Sequence, residues 1–420
     1  MRSTSSTSGP LPAGVAAGAV GDWPALCARR CHGSRRLLDE SRCVVTTQES
    51  QMRALMYLHT RSGGHWRYSC ELARGLGDHT RMAVVCASGA EPADGVTTLP
   101  VLSPIDEGAH GIARIVDRQL VYGRHLRQLK ALLGRDAQES GPGVIHFQEF
   151  PTFLGAAAVD VARRAGYRTV VTVHNVQPHE TDLLARLRQR DAVAAWARAD
   201  QLIVHTETLR SQLLQILPSA QVAVVPHPIW PVAPSPEPDQ PSDYLFFGVL
   251  RENKGILHFL NALAALDNPT ATVAGGGSQK MVDDIQRRIE DLGLTRCDFR
   301  PGYLVDEEVA PLFAAHRVLV APYQGFAAQS GVTHLAIAHR RPIVVTDIGG
   351  LAEPVKKYGV GEIAPDLAEG LALTMHKAGL RQQHHAYEQG FTDALAKLSI
   401  DAVAASTVEV YERANHARSA

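Results

Sequence analysis

Short apolar runs rich in β-branched residues alternate with longer amphipathic stretches along this chain, and no other feature of the sequence limits the possible folds as strongly. Helical patterns separate the runs, as at 66–76 and 154–165. Strands that alternate with helices form parallel sheets with crossover connections. We therefore predict an α/β protein whose first half forms a doubly wound sheet. The predicted strands are 54–60, 82–87, 144–148, 168–174, 201–205 and 222–226.

A proline-rich segment follows this first set of strands. Seven of the sixteen residues from Pro226 to Pro241 are proline, which neither a helix nor a central strand accommodates. Beyond this segment the alternation of strands and helices restarts. The predicted strands of the second set are 244–248, 271–274, 318–321 and 342–346. The repeated pattern therefore predicts two Rossmann-like domains facing each other across a cleft.

The domain organisation follows from these boundaries. We predict an N-terminal domain at 51–228, a linker at 229–242 and a C-terminal domain at 243–399, with a final helix at about 400–418. Each domain has roughly 150 to 180 residues, enough for its own core. Residues 1–50 are a mixture of Ser, Thr, Gly, Pro and Ala without an apolar period, so we expect a disordered extension or a segment that is not native.

Composition excludes several classes of function. The chain has 42 Lys and Arg against 43 Asp and Glu, so a broad basic face for nucleic acid is not expected. No run of about 18 apolar residues is present, which argues against a transmembrane segment but leaves peripheral membrane contact open. Six cysteines without paired spacing favour a reducing, cytoplasmic location.

Two glycine-rich turns follow predicted strands. Gly63 and Gly64, followed by His65, separate the first strand from its helix. Glycines at a helix N-terminus let backbone N–H groups approach an anion, although a plain tight turn has the same sequence. The second turn, 275–278, lacks the third glycine of a dinucleotide fingerprint and is weaker evidence for a phosphate site.

A third junction carries fixed charge. The predicted strand 244–248 ends at Gly248, and Arg251 and Lys254 follow before the next helix. Arg offers a fork for bidentate phosphate contact and Lys a point charge, so the pair favours a diphosphate site over two solvated surface charges. A fourth junction, Gln329 to Val332, opens the helix before Pro342, where Ser330 serves either as an N-cap or as an anion contact.

Polar residues also follow strands in the N-terminal half. His59, His174 and His205 lie at or near the ends of predicted strands, and Glu149 follows the strand 144–148. Because ligands of open α/β sheets bind beyond the carboxyl ends of the strands, we expect these histidines to line the cleft. Glu149 is either a contact of acceptor hydroxyls or a surface residue.

The order of these motifs resembles the GT-B glycosyltransferases of retaining family 4. The resemblance covers about 54–380 and is most specific in the C-terminal half. The segments that carry it are Gly63-Gly64, Val173-His174, Gly248 to Gly255, Phe299 to Glu308, and Pro342 to Glu353 with its Gly349-Gly350 pair. The resemblance implies transfer of a sugar from a nucleotide-diphosphate sugar to an acceptor hydroxyl with retention (EC 2.4 class). Because no Asp-x-Asp motif stands at a strand end, we expect the site to be metal-independent.

The resemblance also implies residue roles. Arg251 and Lys254 would hold the donor diphosphate, and the backbone around Tyr303 and Leu304 would contact the base. His174 would be the catalytic residue beside the transferred sugar. The loop formed by Gly63, Gly64 and His65 would border the donor phosphate and the acceptor. No cofactor is implied beyond the co-substrate, a UDP-, GDP- or dTDP-linked sugar.

One departure from the family pattern concerns its paired glutamates. Ala327 and Leu335 occupy those positions, and no Asp or Glu occurs between Glu308 and Asp347. The local sequence resembles a subgroup in which a Gln-Ser-Gly turn replaces the acidic pair. The residues then assigned to sugar and phosphate contact, together with strand-end Gly248, are Gln329, Ser330, Gly331 and Val332.

The departure leaves a second hypothesis, a catalytically inactive relative that binds a nucleotide sugar without transferring it. The identity of the acceptor is also open. It is a saccharide, a lipid-linked acceptor or a natural-product core, because the basic amphipathic stretch 114–133 fits either a membrane surface or a solvated helix face.

Overall fold

The computed structural model describes residues 52–105, 111–151, 153–176, 183–232, 234–325 and 331–416, without the side chains of 111–117, 183 and 306. The predicted extension, 1–50, lies outside the described residues. Among those that are described, no helix combines the length and apolar content needed to span a membrane.

The first sheet consists of parallel strands in the order β3-β2-β1-β4-β5-β6-β7. In chain order these are β1 (Arg53–Tyr57), β2 (Arg81–Ala87), β3 (Thr98–Leu102), β4 (Val144–Phe147), β5 (Arg168–Thr172), β6 (Gln201–Val204) and β7 (Val222–Val224). Its helices are α1 (Gly63–Leu76), α2 (Gly111–Ser140), α3 (Gly155–Arg164), α4 (Leu183–Trp196) and α5 (Glu207–Ile216). Strand order reverses at β1, whose Tyr57 pairs with Val85 on one side and Phe147 on the other. Such a reversal is where doubly wound sheets bind ligands.

The second sheet is also parallel, in the order β10-β9-β8-β11-β12-β13. Its strands are β8 (Ser242–Phe247), β9 (Ala271–Gly275), β10 (Cys297–Pro301), β11 (His316–Ala321), β12 (Ile343–Thr346) and β13 (Gly361–Ala364). Its helices are α6 (Ile256–Ala265), α7 (Gln279–Asp291), α8 (Asp306–Ala314), α9 (Gly331–Ala338), α10 (Gly349–Tyr358), α11 (Glu369–Gln383) and α12 (Glu388–Lys397). The order reverses at β8, which precedes the predicted phosphate loop.

Alternation along the strands divides the core of the second sheet into two layers. Tyr244 and Phe246 pack into one layer, and Leu245 between them packs into the other. Both faces are therefore buried, as expected for a parallel sheet covered by helices on each side.

The last helix, α13 (Ile400–His416), belongs to the core of the first sheet. Val403, Val410 and Tyr411 are buried in the same cluster as strand β1 and helix α1. The Tyr411 hydroxyl also lies 2.8 Å from Nδ1 of the buried His146 on β4. The end of the chain thus completes the core that its first strand begins.

The α/β fold class predicted from the sequence is confirmed, and the ten predicted strands are all present with ends shifted by at most three residues. Three strands were missed: β3, β10 and β13, all at sheet edges. Edge strands are half exposed, so they need no continuous apolar run. Strand β3 contains Pro100, and β10 contains Asp298 and Arg300, which conceals both from a search for buried strands.

Candidate active site

The loop between β1 and α1 begins the site. Gly63 has φ +78°, a conformation that favours glycine, and it opens the first turn of α1. A Cβ atom at Gly63 or Gly64 would meet no described atom within 4 Å, so space lies over the helix N-terminus. Ser62, at the N-cap position, makes no side-chain capping bond to this turn. The backbone N–H groups of the turn remain available to an anion.

Glu149 fixes the loop between β1 and α1 by hydrogen bonds. Its Oε2 accepts hydrogen bonds from the backbone N–H groups of His59 at 3.1 Å and Thr60 at 2.9 Å. Its Oε1 lies 2.6 Å from Nδ1 of His65 and also accepts the Thr60 hydroxyl. The side chain is only 14% exposed, so the surface alternative for Glu149 is wrong. Its contact with an acceptor stays a prediction.

The surroundings of Glu149 keep it ionised. Burial by itself would raise the pKa of this carboxyl. The hydrogen bond from His65, the nearby His59 and the Thr60 hydroxyl together outweigh burial and hold the pKa at about 2. The site therefore contains a fixed negative charge beneath the glycine turn.

His174 lies two residues beyond β5 and is held at both ring nitrogens. Its Nδ1 is 3.2 Å from Nε2 of His205, and its Nε2 is 3.2 Å from the side-chain oxygen of Gln148. Nδ1 of His205 in turn donates to the Val225 carbonyl at 2.9 Å. Burial, followed by the neighbouring His205 and His65, lowers the pKa of His174 well below its ordinary value. Burial likewise lowers the pKa of His205 to about 4, so both rings are neutral near pH 7.

The structure thus brings together four of the polar residues that follow strands in the first half. The ring of His65 lies 4.4 Å from that of His174, and Glu149 joins His65 to His59, whose Nδ1 is 3.2 Å from the carboxylate. His205 completes the group from the next strand. The four strand-end residues His59, Glu149, His174 and His205 follow β1, β4, β5 and β6, and their lining of a cleft stays a prediction.

The loop after β8 is shaped by close backbone packing. A 3₁₀ turn at Glu252–Lys254 ends at Gly255, which has φ +71°. A Cβ atom at Gly255 would lie 1.9 Å from the Pro322 carbonyl oxygen, so only glycine permits this approach to the end of β11. The N–H of Gln324 donates to the Asn253 carbonyl at 2.8 Å and closes the contact.

Two cations project from this turn. Nζ of Lys254 lies 3.7 Å from the ring centroid of Tyr323, while Arg251 is exposed. Within the described residues, neither side chain forms an ion pair with a carboxylate. Burial, and then the charge of Arg251, lower the pKa of Lys254. Two neighbouring positive charges that form no ion pair with a described carboxylate favour an anionic ligand.

The glycines of the loop after β9 allow close packing of neighbouring loops, a role that the sequence did not predict. A Cβ atom at Gly275 would lie 1.8 Å from the Gly248 carbonyl oxygen, and one at Gly277 would lie 2.7 Å from Cβ of Leu250. The backbone N–H of Leu250 also donates to the Gly276 carbonyl at 2.8 Å. These glycines therefore serve to pack the loops after β8 and β9 against each other.

The remaining predicted donor contacts lie around these loops. Tyr303 follows β10 and is 87% exposed, whereas Leu304 is partly buried against the core of the second sheet. Val332, in the first turn of α9, comes within 3.3 Å of a Cβ atom built on Gly248, and Gly331 beside it is exposed. Gln329 and Ser330 lie outside the described residues.

A group of aromatic rings joins elements of the two sheets, and the sequence analysis missed it. The ring of His227 stacks on Tyr68 of α1 at 4.6 Å and lies 5.0 Å from the ring of His334 on α9. Glu353 of α10 makes a second connection, since its Oε1 accepts the backbone N–H groups of Glu207 at 2.8 Å and Thr208 at 3.3 Å. No local pattern signals contacts between residues so far apart in the chain.

Two family models match the chain in consecutive regions. The model described as Glycosyltransferase Family 4 matches residues 62–231, and the model described as Glycosyl transferases group 1 matches residues 241–378. No curated protein sequence matches the chain.

Solved structures show the same fold at low sequence identity. Sucrose-phosphate synthase from Thermosynechococcus elongatus has a TM-score of 0.65 and 17% identity, over 87% of this chain and 100% of that one. Anabaena HepE, in complex with UDP and glucose, has a TM-score of 0.63 and 16% identity, over 86% and 99%. An α,α-trehalose-phosphate synthase (UDP-forming) from Burkholderia xenovorans, in complex with glucose-6-phosphate, has a TM-score of 0.63 and 12% identity, over 86% and 100%.

These matches agree with the arrangement of the site. The two models together span both sheets, and the similar structures share the GT-B fold along nearly their whole length. The chain therefore belongs to the group 1 glycosyltransferases, and the protein is a glycosyltransferase enzyme of the GT-B fold.

Proposed function

We propose that this glycosyltransferase moves a sugar from a nucleotide-diphosphate sugar to an acceptor hydroxyl, with retention of the anomeric configuration and without a metal ion. The observation that carries the proposal is the pair Arg251 and Lys254 at the carboxyl end of β8, where the described residues provide no carboxylate partner. A diphosphate leaving group needs such positive charge as the glycosidic bond breaks.

The second sheet supplies the donor site in this proposal. Lys254 is held against Tyr323 and contributes a point charge, while the exposed fork of Arg251 contacts the phosphate oxygens. Next to this loop, the exposed ring of Tyr303 and the backbone of Leu304 are available to cover a base. The residues proposed to complete the phosphate and sugar contacts are Gly248, Gln329, Ser330, Gly331 and Val332.

The first sheet supplies the acceptor side. The open N-terminus of α1 at Gly63 and Gly64 borders the donor phosphate and the acceptor, and His174 lies beside the transferred sugar as the catalytic residue. Its neutral ring is held in place by His205 and Gln148. This assignment corresponds to an acceptor domain at 51–228 with the helix at 400–418, a linker at 229–242 and a donor domain at 243–399.

Two observations support the proposed retention and metal independence: the positive charges of the loop after β8, and the absence of certain acidic motifs from the sequence. Arg251 and Lys254 supply positive charge of the kind that a metal ion otherwise provides, and no Asp-x-Asp motif stands at a strand end. No carboxylate is an evident nucleophile, which favours front-face attack over a covalent intermediate. We place the reaction in the cytoplasm, because the described cysteines Cys70, Cys86 and Cys297 are free.

The donor nucleotide is uridine, guanosine or deoxythymidine diphosphate. Similar structures that contain UDP, or carry the words UDP-forming, make UDP-sugars the first to test. The acceptor is a saccharide, a lipid-linked acceptor or a natural-product core, some of which would bring the protein to a membrane surface.

A comparison of Lys254→Ala with Lys280→Ala tests the proposed function. Lys280 is an exposed residue of α7 and serves as the matched control. We expect donors to stabilise the wild-type protein against heat, and Lys254→Ala to lose about 10²–10³ in release of nucleoside diphosphate. Equal release by the two variants would contradict the proposal. Donor binding without any release by the wild-type protein would instead support the inactive relative.

A further inference from the structure

His65 and Glu149 form a carboxylate–histidine pair at the carboxyl ends of the strands of the first sheet. Nδ1 of His65 is 2.6 Å from Oε1 of Glu149, and the carboxylate is only 14% exposed. Glu149 is itself held by the backbone N–H groups of His59 and Thr60. The carboxylate therefore has a defined position from which it orients the imidazole.

The pair determines which nitrogen of His65 carries the proton. An ionised carboxylate only accepts hydrogen bonds, so Nδ1 of a neutral His65 must be the donor. Nε2 then carries the lone pair. Within the described residues Nε2 has no hydrogen-bond partner, and the side chain is 34% exposed, so a substrate can reach it.

His65 differs in this respect from the neighbouring His174. The two rings lie 4.4 Å apart, but each nitrogen of His174 has a polar atom within 3.2 Å, one on His205 and one on Gln148. His65 is the third residue of α1, directly after the turn at Gly63 and Gly64. Of the two histidines, only His65 thus has a ring nitrogen with no described polar atom within hydrogen-bond distance, beside the open helix N-terminus.

We propose that His65 is a further catalytic residue, which accepts the proton of the acceptor hydroxyl, and that Glu149 is its positioning residue. The proposal rests on the proposed function. As the acceptor oxygen forms its bond to the anomeric carbon, the bond from that carbon to the diphosphate oxygen breaks with its electron pair. The acceptor proton moves to Nε2 of His65, and Glu149 stabilises the resulting imidazolium. The proton then leaves to solvent, and the ring is neutral again.

The test compares His65→Ala with His79→Ala, an exposed histidine beyond the end of α1. UDP release is measured from UDP-glucose with water as the acceptor, and GDP- and dTDP-glucose are tested in parallel. General base catalysis contributes about 10²–10⁴ to rate, and we expect a loss in that range for His65→Ala alone. Added imidazole should restore at least about tenfold, while the donor-induced rise in Tm stays as in the wild type.

The outcomes separate this inference from the proposed function. If the wild-type protein releases nucleotide from none of the three donors, both fail. If His65→Ala releases UDP as fast as the wild type, or loses activity without any rescue by imidazole, only the role of His65 is overturned. Loss of activity with rescue supports it.

Nitrogen NMR of the ring gives a measurement that needs neither turnover nor a folded alanine variant. In the neutral ring of the wild-type His65, we expect the proton on Nδ1 and the lone pair on Nε2. Glu149→Gln should mix the two tautomers and lower kcat more than it raises KM for the donor. A neutral wild-type ring that carries its proton on Nε2 would overturn the proposal.

Discussion

The carboxylate of Glu149 offers a quantitative test of the site as folded. Burial would raise its pKa, yet the contacts from His65, His59 and Thr60 bring the pKa from 4.5 to about 2. A tenfold change in an ionisation constant is worth about 1.4 kcal/mol, so the ionised form stabilises the fold by about 3 kcal/mol relative to the protonated one.

The sign of the pH dependence follows from the lowered pKa. The stabilisation is fully present above pH 4.5, the ordinary value, and it is lost as the pH falls from there toward 2. Glu149→Gln removes the charge at every pH. We therefore expect the variant to be about 3 kcal/mol less stable than the wild type at pH 7, and this difference to shrink progressively below pH 4.5.

Urea unfolding at a series of pH values between 3 and 7 measures this difference. Glu307→Gln, which changes an exposed carboxylate at the start of α8, is the control and should leave the free energy of unfolding nearly unchanged at every pH. A gap between the Glu149 variant and the wild type that stays constant across the series would refute the electrostatic account.

Two further outcomes follow from contacts of the second sheet. Tyr323→Leu removes the aromatic ring that Lys254 contacts and should raise KM for the donor about 5- to 30-fold, corresponding to about 1–2 kcal/mol. Tyr323→Phe keeps the ring and should leave this KM nearly unchanged. Equal KM for the donor in both variants would argue against a role of the ring in holding Lys254. Glu353→Ala removes the acceptor of two backbone N–H groups of α5 and should lower the free energy of unfolding by about 1–2 kcal/mol in thermal unfolding. Glu353→Gln keeps an acceptor oxygen and should lower it less. Equal stability of the two variants would show that these hydrogen bonds do not stabilise the protein.

The charge of the histidine group in the first sheet depends on one buried carboxylate. The carboxylate that contacts His65, the residue proposed to accept the proton, belongs to Glu149 of the first sheet. Its hydrogen-bond partner His65 lies beside His174, and burial lowers the pKa of both His174 and the neighbouring His205. Glu149 thus supplies the buried negative charge of the histidine group in the first sheet.

Local sequence predicted the strands that lie inside the sheets and the loops that follow them. Interior strands such as β5 are apolar on both faces, so their runs of Val and Thr are visible without a structure. The same holds for Gly63 and Gly255, because a glycine at a strand-to-helix turn indicates a backbone conformation that other residues avoid. Edge strands such as β3 were not predicted from the sequence. Because only one side of an edge strand is paired, its residues are partly exposed and need not be apolar.

By itself, the sequence determined the fold class, the order of the elements and the position of Arg251 and Lys254 after β8, because periodicity and turn chemistry are local properties. The tertiary structure decided how the side chains meet. It joined His65 to Glu149 across 84 positions of the chain and placed Lys254 over Tyr323. It also showed that Gly275 and Gly277 allow the loops after β8 and β9 to pack closely. Such pairings depend on strand order and backbone approach, which no short stretch of sequence encodes.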